Sequence, residues 1–464
     1  MKFFYCVAFL IFTECVFAQQ LNFREKGKKH RIIFNILSYG AKGDGATLDT
    51  EPIQKAIDDC SKKQGGIVLI PVGKYLISTI NLYSHVTLKL EKGALFIGSL
   101  NVEDYQKNKK TVIEAPRYSK CIIYAEDAND IHFEGEGEID GRGSRKNFSG
   151  ERPMLVRLVN CKQITFEKLS FKNPASWGIY LYNCKNIHFN GISIDSKNNN
   201  SNNDGIDLDG CEDVIIENCK LNTGDDAICP KSTLNPCKNI VVKNCNISSE
   251  TAGFKLGTSS FGGFENITVK DCFFHDCPMG VIKLLLVDGG RMQNITLSNL
   301  KMENVGGPIF IRLGNRGRTY NKPTEQIYSS NVKSEGAMVG FVKGIFIKKI
   351  KANVTGSKHD RQGIFISGIP GYKIENISLK NVNISFSGDA FFTKQPTDTV
   401  PEDISRYPEQ YFFGILPSWG VFVRHVDGLV FKNVNIKRLQ PDTRSPSYFE
   451  DTLRIQIRGL KCKI

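Results

Sequence analysis

Two short acidic segments carry the chemistry this sequence could do. Asn202-Asn203-Asp204-Gly-Ile-Asp207-Leu-Asp209 precedes Gly224-Asp225-Asp226, and Asp204 and Asp225 are 21 residues apart. If that interval is one turn of a coiled β structure, the two aspartates sit on neighbouring coils, about 4.8 Å apart. Asp204, Asp225 and Asp226 would then converge. Crowded carboxylates cannot all ionise, so one is pushed up and keeps its proton. A protonated acid beside ionised ones is what glycosidic hydrolysis needs: one protonates the leaving oxygen and another activates water. Two other readings stay open. Asp-Gly pairs also make turns, and clustered carboxylates also hold calcium. Asp207 and Asp209 are read as turn or ladder residues.

The elements that must position these acids come from an internal repeat. Copies begin at Gln163, Asn186, Asp213, Asn239, Asn266 and Asn294, every 23–28 residues, with weaker copies at Asp130, Gly344, Asn376 and Gly428. In each copy two apolar residues alternate with polar ones, two residues break the run, and alternation resumes. That is strand, tight turn, strand. Short strands in one register on every coil predict an all-β chain, a right-handed parallel β-helix. The Asn before the apolar pair should stack on its equivalent, each amide bonding the next. The cysteines Cys161, Cys184, Cys211, Cys219, Cys237, Cys245 and Cys272 recur at like positions, so they are expected to be small buried ladder residues. Cys272 and Cys277 could pair.

A solenoid needs a cap. Residues from about 30 to 62 supply one, with a strand over Phe34–Tyr39, a glycine turn, and a short helix opening at Thr50 with Ile53, Ala56 and Ile57 on one face. Residues 386–420, rich in aromatics and proline, read as a long loop over one face. The chain from 19 to 464 is thus expected to be one β-helix domain. Residues 1–18 form a basic start, an apolar run and a small-residue end at Ala18, the pattern of a cleaved secretory signal and too short for a span. An exported, periplasmic or extracellular protein is expected.

Composition sets outer limits. At 41% hydrophobic and 23% charged residues, the chain is neither mainly disordered nor a multi-span membrane protein. Its net charge of +13 suits an acidic partner. No stretch has a nucleic-acid motif, and export argues against that partner; anionic lipid, an acidic polysaccharide and a merely solvated basic surface stay open. There is no zinc-spaced CxxC pair, so neither metal nor cofactor is expected. The sequence carries no signal of oligomeric state.

The residues also match a known pattern. Tyr39-Gly-Ala-Lys-Gly-Asp-Gly, Gly65-Gly66-Ile-Val-Leu-Ile-Pro71, Gly137-Glu-Ile-Asp-Gly141 and Asn173-Pro-Ala-Ser-Trp177 lead into Asn202-Asn203-Asp204 and Asp225-Asp226. From about Ile33 to at least Asn315 the chain resembles glycoside hydrolase family 28, the polygalacturonase family of pectin-degrading β-helix enzymes. The resemblance implies metal-free inverting hydrolysis of α-linked galacturonide, with Asp225 as general acid and Asp204 and Asp226 holding and activating the water. Inversion leads us to expect an acid–base gap of roughly 6.5–9.5 Å.

Two positions depart from the family. Its Gly-His-Gly falls near Thr251-Ala252-Gly253, without the histidine, and its Arg-Ile-Lys on Val281-Ile282-Lys283, with only the lysine. Lys283 stands where the family reads a substrate carboxylate. Lys255, Arg312, Asn315 and Arg316 are the nearby residues expected to compensate as substrate-binding groups. His275 receives no role, and His425 is left open between closing a coil end and approaching the site. The rival functions are hydrolysis of another acidic or rhamnose-containing polysaccharide, a lyase of similar shape, and a non-catalytic polysaccharide-binding β-helix.

Overall fold

The computed structural model describes residues 31–107, 119–197, 200–318, 338–355, 363–386 and 399–463. The expected signal segment and part of the expected long loop lie outside them. Within them the chain winds as a right-handed parallel β-helix, the hand that parallel crossovers adopt. Each strand pairs in parallel with the strand one coil away. Ile131, Ile164, Ile187, Val214, Ile240, Ile267 and Ile295 are successive partners down one column. All are buried, and each contributes roughly 1.5–3 kcal/mol by leaving water. Phe133, Phe166 and Phe189 stack beside them at 4.4 and 4.6 Å.

The breaks between strands are asparagine ladders. Asn266 Nδ2 donates to Asn239 Oδ1 at 3.2 Å, and Asn294 Nδ2 to Asn266 Oδ1 at 3.1 Å. All three have positive φ, near 55°. Asn tolerates that left-handed backbone better than most residues, so one residue type both turns the chain and links the coils.

Cysteines fill two further columns, Cys161–Cys184–Cys211–Cys237 and Cys219–Cys245–Cys272, buried and free. The Cys272–Cys277 pair does not form, and both thiols are free. Cys272 precedes the strand Phe273–Cys277 and Cys277 ends it, so the strand's length separates the two thiols.

Helix α1 (Thr50–Lys62) closes the N-terminal end with Ile53, Ala56, Ile57 and Cys60 buried. Asp49 precedes it and accepts from Lys42 N and Gly43 N at 2.7 and 3.0 Å, fixing the glycine turn on the cap. Among the described residues no helix is long and apolar enough to cross a membrane.

One sheet positions the acids. It includes Ile179–Tyr182, Ile206–Asp209, Ile228–Lys231, Phe254–Leu256, Ile282–Leu286, Ile309–Leu313 and Ile364–Ser367. Its inward residues, such as Ile206, Leu208 and Leu284, join the core. Its outward column runs Tyr180, Asp207, Cys229 and later Lys255, Lys283, Phe310, Phe365 and Phe422. Across the later coils the described part of the long loop lies on this column. Val400, Phe413 and Leu416 pack against Leu285, Phe310, Phe365 and Phe422.

Candidate active site

The three aspartates sit on turns that enter adjacent strands of this sheet. Gly205 N donates to Asp226 O at 2.9 Å, locking the two turns one above the other. Gly224 makes the approach possible: a Cβ there would meet the Asn203 amide at 2.4 Å. Asn203 is wholly buried, and Ser196 Oγ donates to its carbonyl at 2.6 Å. Each of Asp204, Asp225 and Asp226 then offers an oxygen within 4.8 Å of the others. That figure is the approach of single oxygens, brought close because Asp225 and Asp226 are chain neighbours that share one hydroxyl.

That hydroxyl is Thr251 Oγ1, 3.0 Å from Asp225 Oδ1 and 2.8 Å from Asp226 Oδ1. A hydroxyl has a single hydrogen. Either that hydrogen is shared between the two carboxylates, or it goes to one while the other carboxyl supplies a proton of its own. Lys255 makes the two unequal. Its Nζ donates to Asp226 Oδ2 at 2.7 Å. Burial pushes Asp226 up, but the charges of Lys255, Lys231 and Lys283 outweigh it and hold the group below its usual value. Asp225 goes the other way, raised by burial and by the Asp226 charge. Asp225 also accepts from Asn202 N at 3.2 Å and Asp226 N at 2.9 Å. Asp204 is raised furthest, by burial first and then by Asp207 and Asp225, with Lys231 opposing. Two members of the trio are thus biased toward keeping a proton and the third toward losing it, the asymmetry an acid–base pair requires.

Several members of the site were not singled out in the sequence. Asp207, read as a turn or ladder residue, is an outward group of the site sheet, fully buried. Lys231 Nζ lies 3.1 Å from Asp207 Oδ1 and 3.9 Å from Asp204 Oδ2, and 4.9 Å above the Trp177 ring. The alternation Ile206-Asp207-Leu208-Asp209 carried the signal, since inward isoleucine and leucine force both aspartates outward. Asp209 is structural: it accepts from Thr233 N, Thr233 Oγ1 and Tyr180 Oη at 2.7–3.0 Å. Thr251 had a signal too, in standing beside the missing histidine.

The residues expected to bind substrate are engaged by this chain itself. Lys255 also donates to Tyr407 Oη at 2.9 Å. Lys283 Nζ lies 2.6 Å from Glu409 Oε2, and both side chains are buried. Arg312 donates to Ser367 Oγ and Gly368 O at 2.8 and 2.7 Å and to the carbonyls of Glu402 and Asp403. Arg316 Nε donates to Asp288 Oδ1 at 2.8 Å and its Nη2 to Thr258 O at 3.0 Å. Asn315 Oδ1 accepts from Gly317 N at 3.0 Å, turning the chain. Tyr407 and Glu409, from the long loop, had no periodicity to reveal them. His275 bonds Asp276 and Asn246 on the surface. His425 bridges Asp451 at 2.6 Å and Glu402 at 3.2 Å.

Comparison with known proteins follows the same lines. The sequence model of the family described as "Glycosyl hydrolases family 28" matches residues 60–401. A "Probable polygalacturonase" of Vitis vinifera is 29% identical over 299 residues, 58% of this chain and 61% of that protein. An "Exo-poly-alpha-D-galacturonosidase" of Dickeya chrysanthemi is 27% identical over 251 residues, 42% of this chain and 41% of that protein. The match therefore spans less than two thirds of either relative. Among solved structures, the Yersinia enterocolitica family 28 exopolygalacturonase superposes with a TM-score of 0.68 at 19% identity, covering 92% of this chain and 79% of that one. That likeness concerns the fold.

Proposed function

Because this chain belongs to the glycosyl hydrolases of family 28, we propose that it hydrolyses α-linked galacturonide bonds of a pectic chain with inversion. Asp225 protonates the leaving oxygen. Asp226, kept ionised by Lys255, takes a proton from the attacking water, and Asp204 orients that water. A water hydrogen-bonded to two carboxyl oxygens at about 2.8 Å each holds them roughly 4.5 Å apart, which suits the close approach of Asp204 and Asp226. The observation that carries this reading is the asymmetry of two carboxyls that share the Thr251 hydroxyl, since Lys255 bonds Asp226 alone. Residues 1–18 support an exported enzyme acting on extracellular or periplasmic substrate.

A second reading is favoured by one contact. Glu409 neutralises Lys283, the cation at the family's carboxylate-reading position. A subsite built on that pair suits an uncharged unit, such as an esterified galacturonide or a rhamnose in a mixed acidic chain. A reducing-sugar assay over free, esterified and rhamnose-containing pectic oligosaccharides tests both readings. Release from the free acid alone supports the first, release from the uncharged unit supports the second, and no release from any contradicts both.

A further inference from the structure

The net charge of +13 is not consumed by the site, where each buried lysine faces an acid. It emerges on another sheet. Lys348, Lys380, Lys432 and Arg458 are successive partners on four adjacent coils. Neighbouring rungs lie about 4.8 Å apart. All four are exposed, and among the described residues the three lysines have no acidic partner. Past the bend a second column runs Phe273, Lys301, Lys351, Asn383, Asn435 and Lys461. Between the columns the backbone turns at Asn299, Lys349, Asn381 and Asn433, all with positive φ. The turn leaves an open trough of about 640 Å³ along the solenoid axis, lined by Phe273, Asn299, Lys301, Lys349 and Lys351 and by one acid, Asp271, which accepts from Asn299 Nδ2 at 2.7 Å; Lys301 also pairs with Glu303 at 2.7 Å.

Like charges directly opposite one another in a sheet destabilise it. A column of such cations without acids is a cost that a bound polyanion relieves. We propose that this trough, together with the exposed lysine column beside it, is a second binding site, away from the catalytic aspartates, that holds one polyuronate chain along the solenoid. One carboxylate per sugar ring can meet one cation per coil. The asparagine amides offer donors and acceptors to ring hydroxyls, and Phe273, with Lys301 Nζ 4.9 Å over its ring, offers an apolar face. The choice of a uronate polymer rests on the proposed function; the site itself rests on the charge columns.

The test uses the full chain with Asp225→Asn, so that polymer is not consumed, with and without Lys349→Gln, Lys351→Gln, Lys380→Gln and Lys432→Gln together. Affinity for polygalacturonate is read by calorimetry at low salt. The four changes should weaken it about 10-fold or more and leave kcat/KM on a trisaccharide within about 2-fold when Asp225 is intact. Circular dichroism and Tm confirm folding, with Tm unchanged or higher once like charges are removed. Unchanged polymer affinity overturns the site. Single-stranded DNA of equal charge binding as tightly overturns its assignment to a glycan. If affinity falls as expected but the wild type cleaves no galacturonide oligomer, the site stands and the proposed catalytic function fails.

Discussion

Lys255 Nζ lies 2.7 Å from Asp226 Oδ2, and this contact sets two adjacent aspartates apart electrostatically. Asp226 is held ionised while its neighbour Asp225 is pushed up by burial and by the Asp226 charge. The family's histidine is absent one coil away from Asp225, and a lysine on the following strand supplies an electrostatic bias in its place.

Replacing Lys255 with Met should therefore raise the pKa of Asp226. Fewer molecules would carry the ionised base at a given acidic pH, so the acid limb of kcat/KM should move to higher pH. The rate at the optimum should fall by about 10²-fold. An unmoved acid limb would show that the lysine does not govern the base.

Thr251→Val removes the shared hydroxyl but keeps the shape. Asp225 and Asp226 lose their common partner, and kcat should fall about 10-fold with little change in KM. Thr251→Ser, which keeps the hydroxyl, should restore most of it. A serine variant as slow as the valine one would assign the threonine a packing role.

Asp204 tests the linkage between pKa and stability. Its folded-state value is raised well above normal by burial, then by Asp207 and Asp225. Between the unfolded value and the raised one the native state binds more protons than the unfolded chain. Stability from this group is thus present below the unfolded value and is lost as pH rises through the folded one. Asp204→Asn should abolish turnover yet raise Tm at pH 7 relative to wild type, with the advantage vanishing near pH 3. A lower Tm at pH 7 would mean the ionised carboxylate stabilises the fold.

The Lys283–Glu409 pair changes what substitution there should do. With both side chains buried, Lys283→Ala leaves a buried carboxylate unpaired, which costs about 3–5 kcal/mol. It should loosen the loop that carries Tyr407 and lower activity on charged and neutral substrates alike. Glu409→Gln is the informative variant. It frees the lysine charge and should shift the ratio of kcat/KM toward the free acid over its methyl ester by about 10-fold, the scale of one charge-assisted hydrogen bond. An unchanged ratio would place this pair outside the substrate subsite.

How much of this was legible follows from periodicity. The coil repeat showed the strands, the asparagine columns and the cysteine columns, because stacking imposes the same residue type at each turn. It also brought Asp204 to Asp225 and Asp226. It did not show what faces them from the loop that includes Tyr407 and Glu409, since that segment has no repeat and its partners are fixed by three-dimensional packing alone. The cations at 255, 283, 312 and 316 could be named from the sequence, but not that loop and sheet groups had already engaged them. Nor does a spacing in sequence reveal that Thr251 links two neighbouring carboxylates.

The most direct test of the central claim is the anomeric form of the first product. Wild-type enzyme acting on an α-linked trigalacturonide, followed by proton NMR before mutarotation, should release the β-anomer first, because water attacks opposite the bond that Asp225 protonates. Release of the α-anomer first would mean that a carboxylate attacks the sugar, and would contradict the roles assigned to Asp204, Asp225 and Asp226.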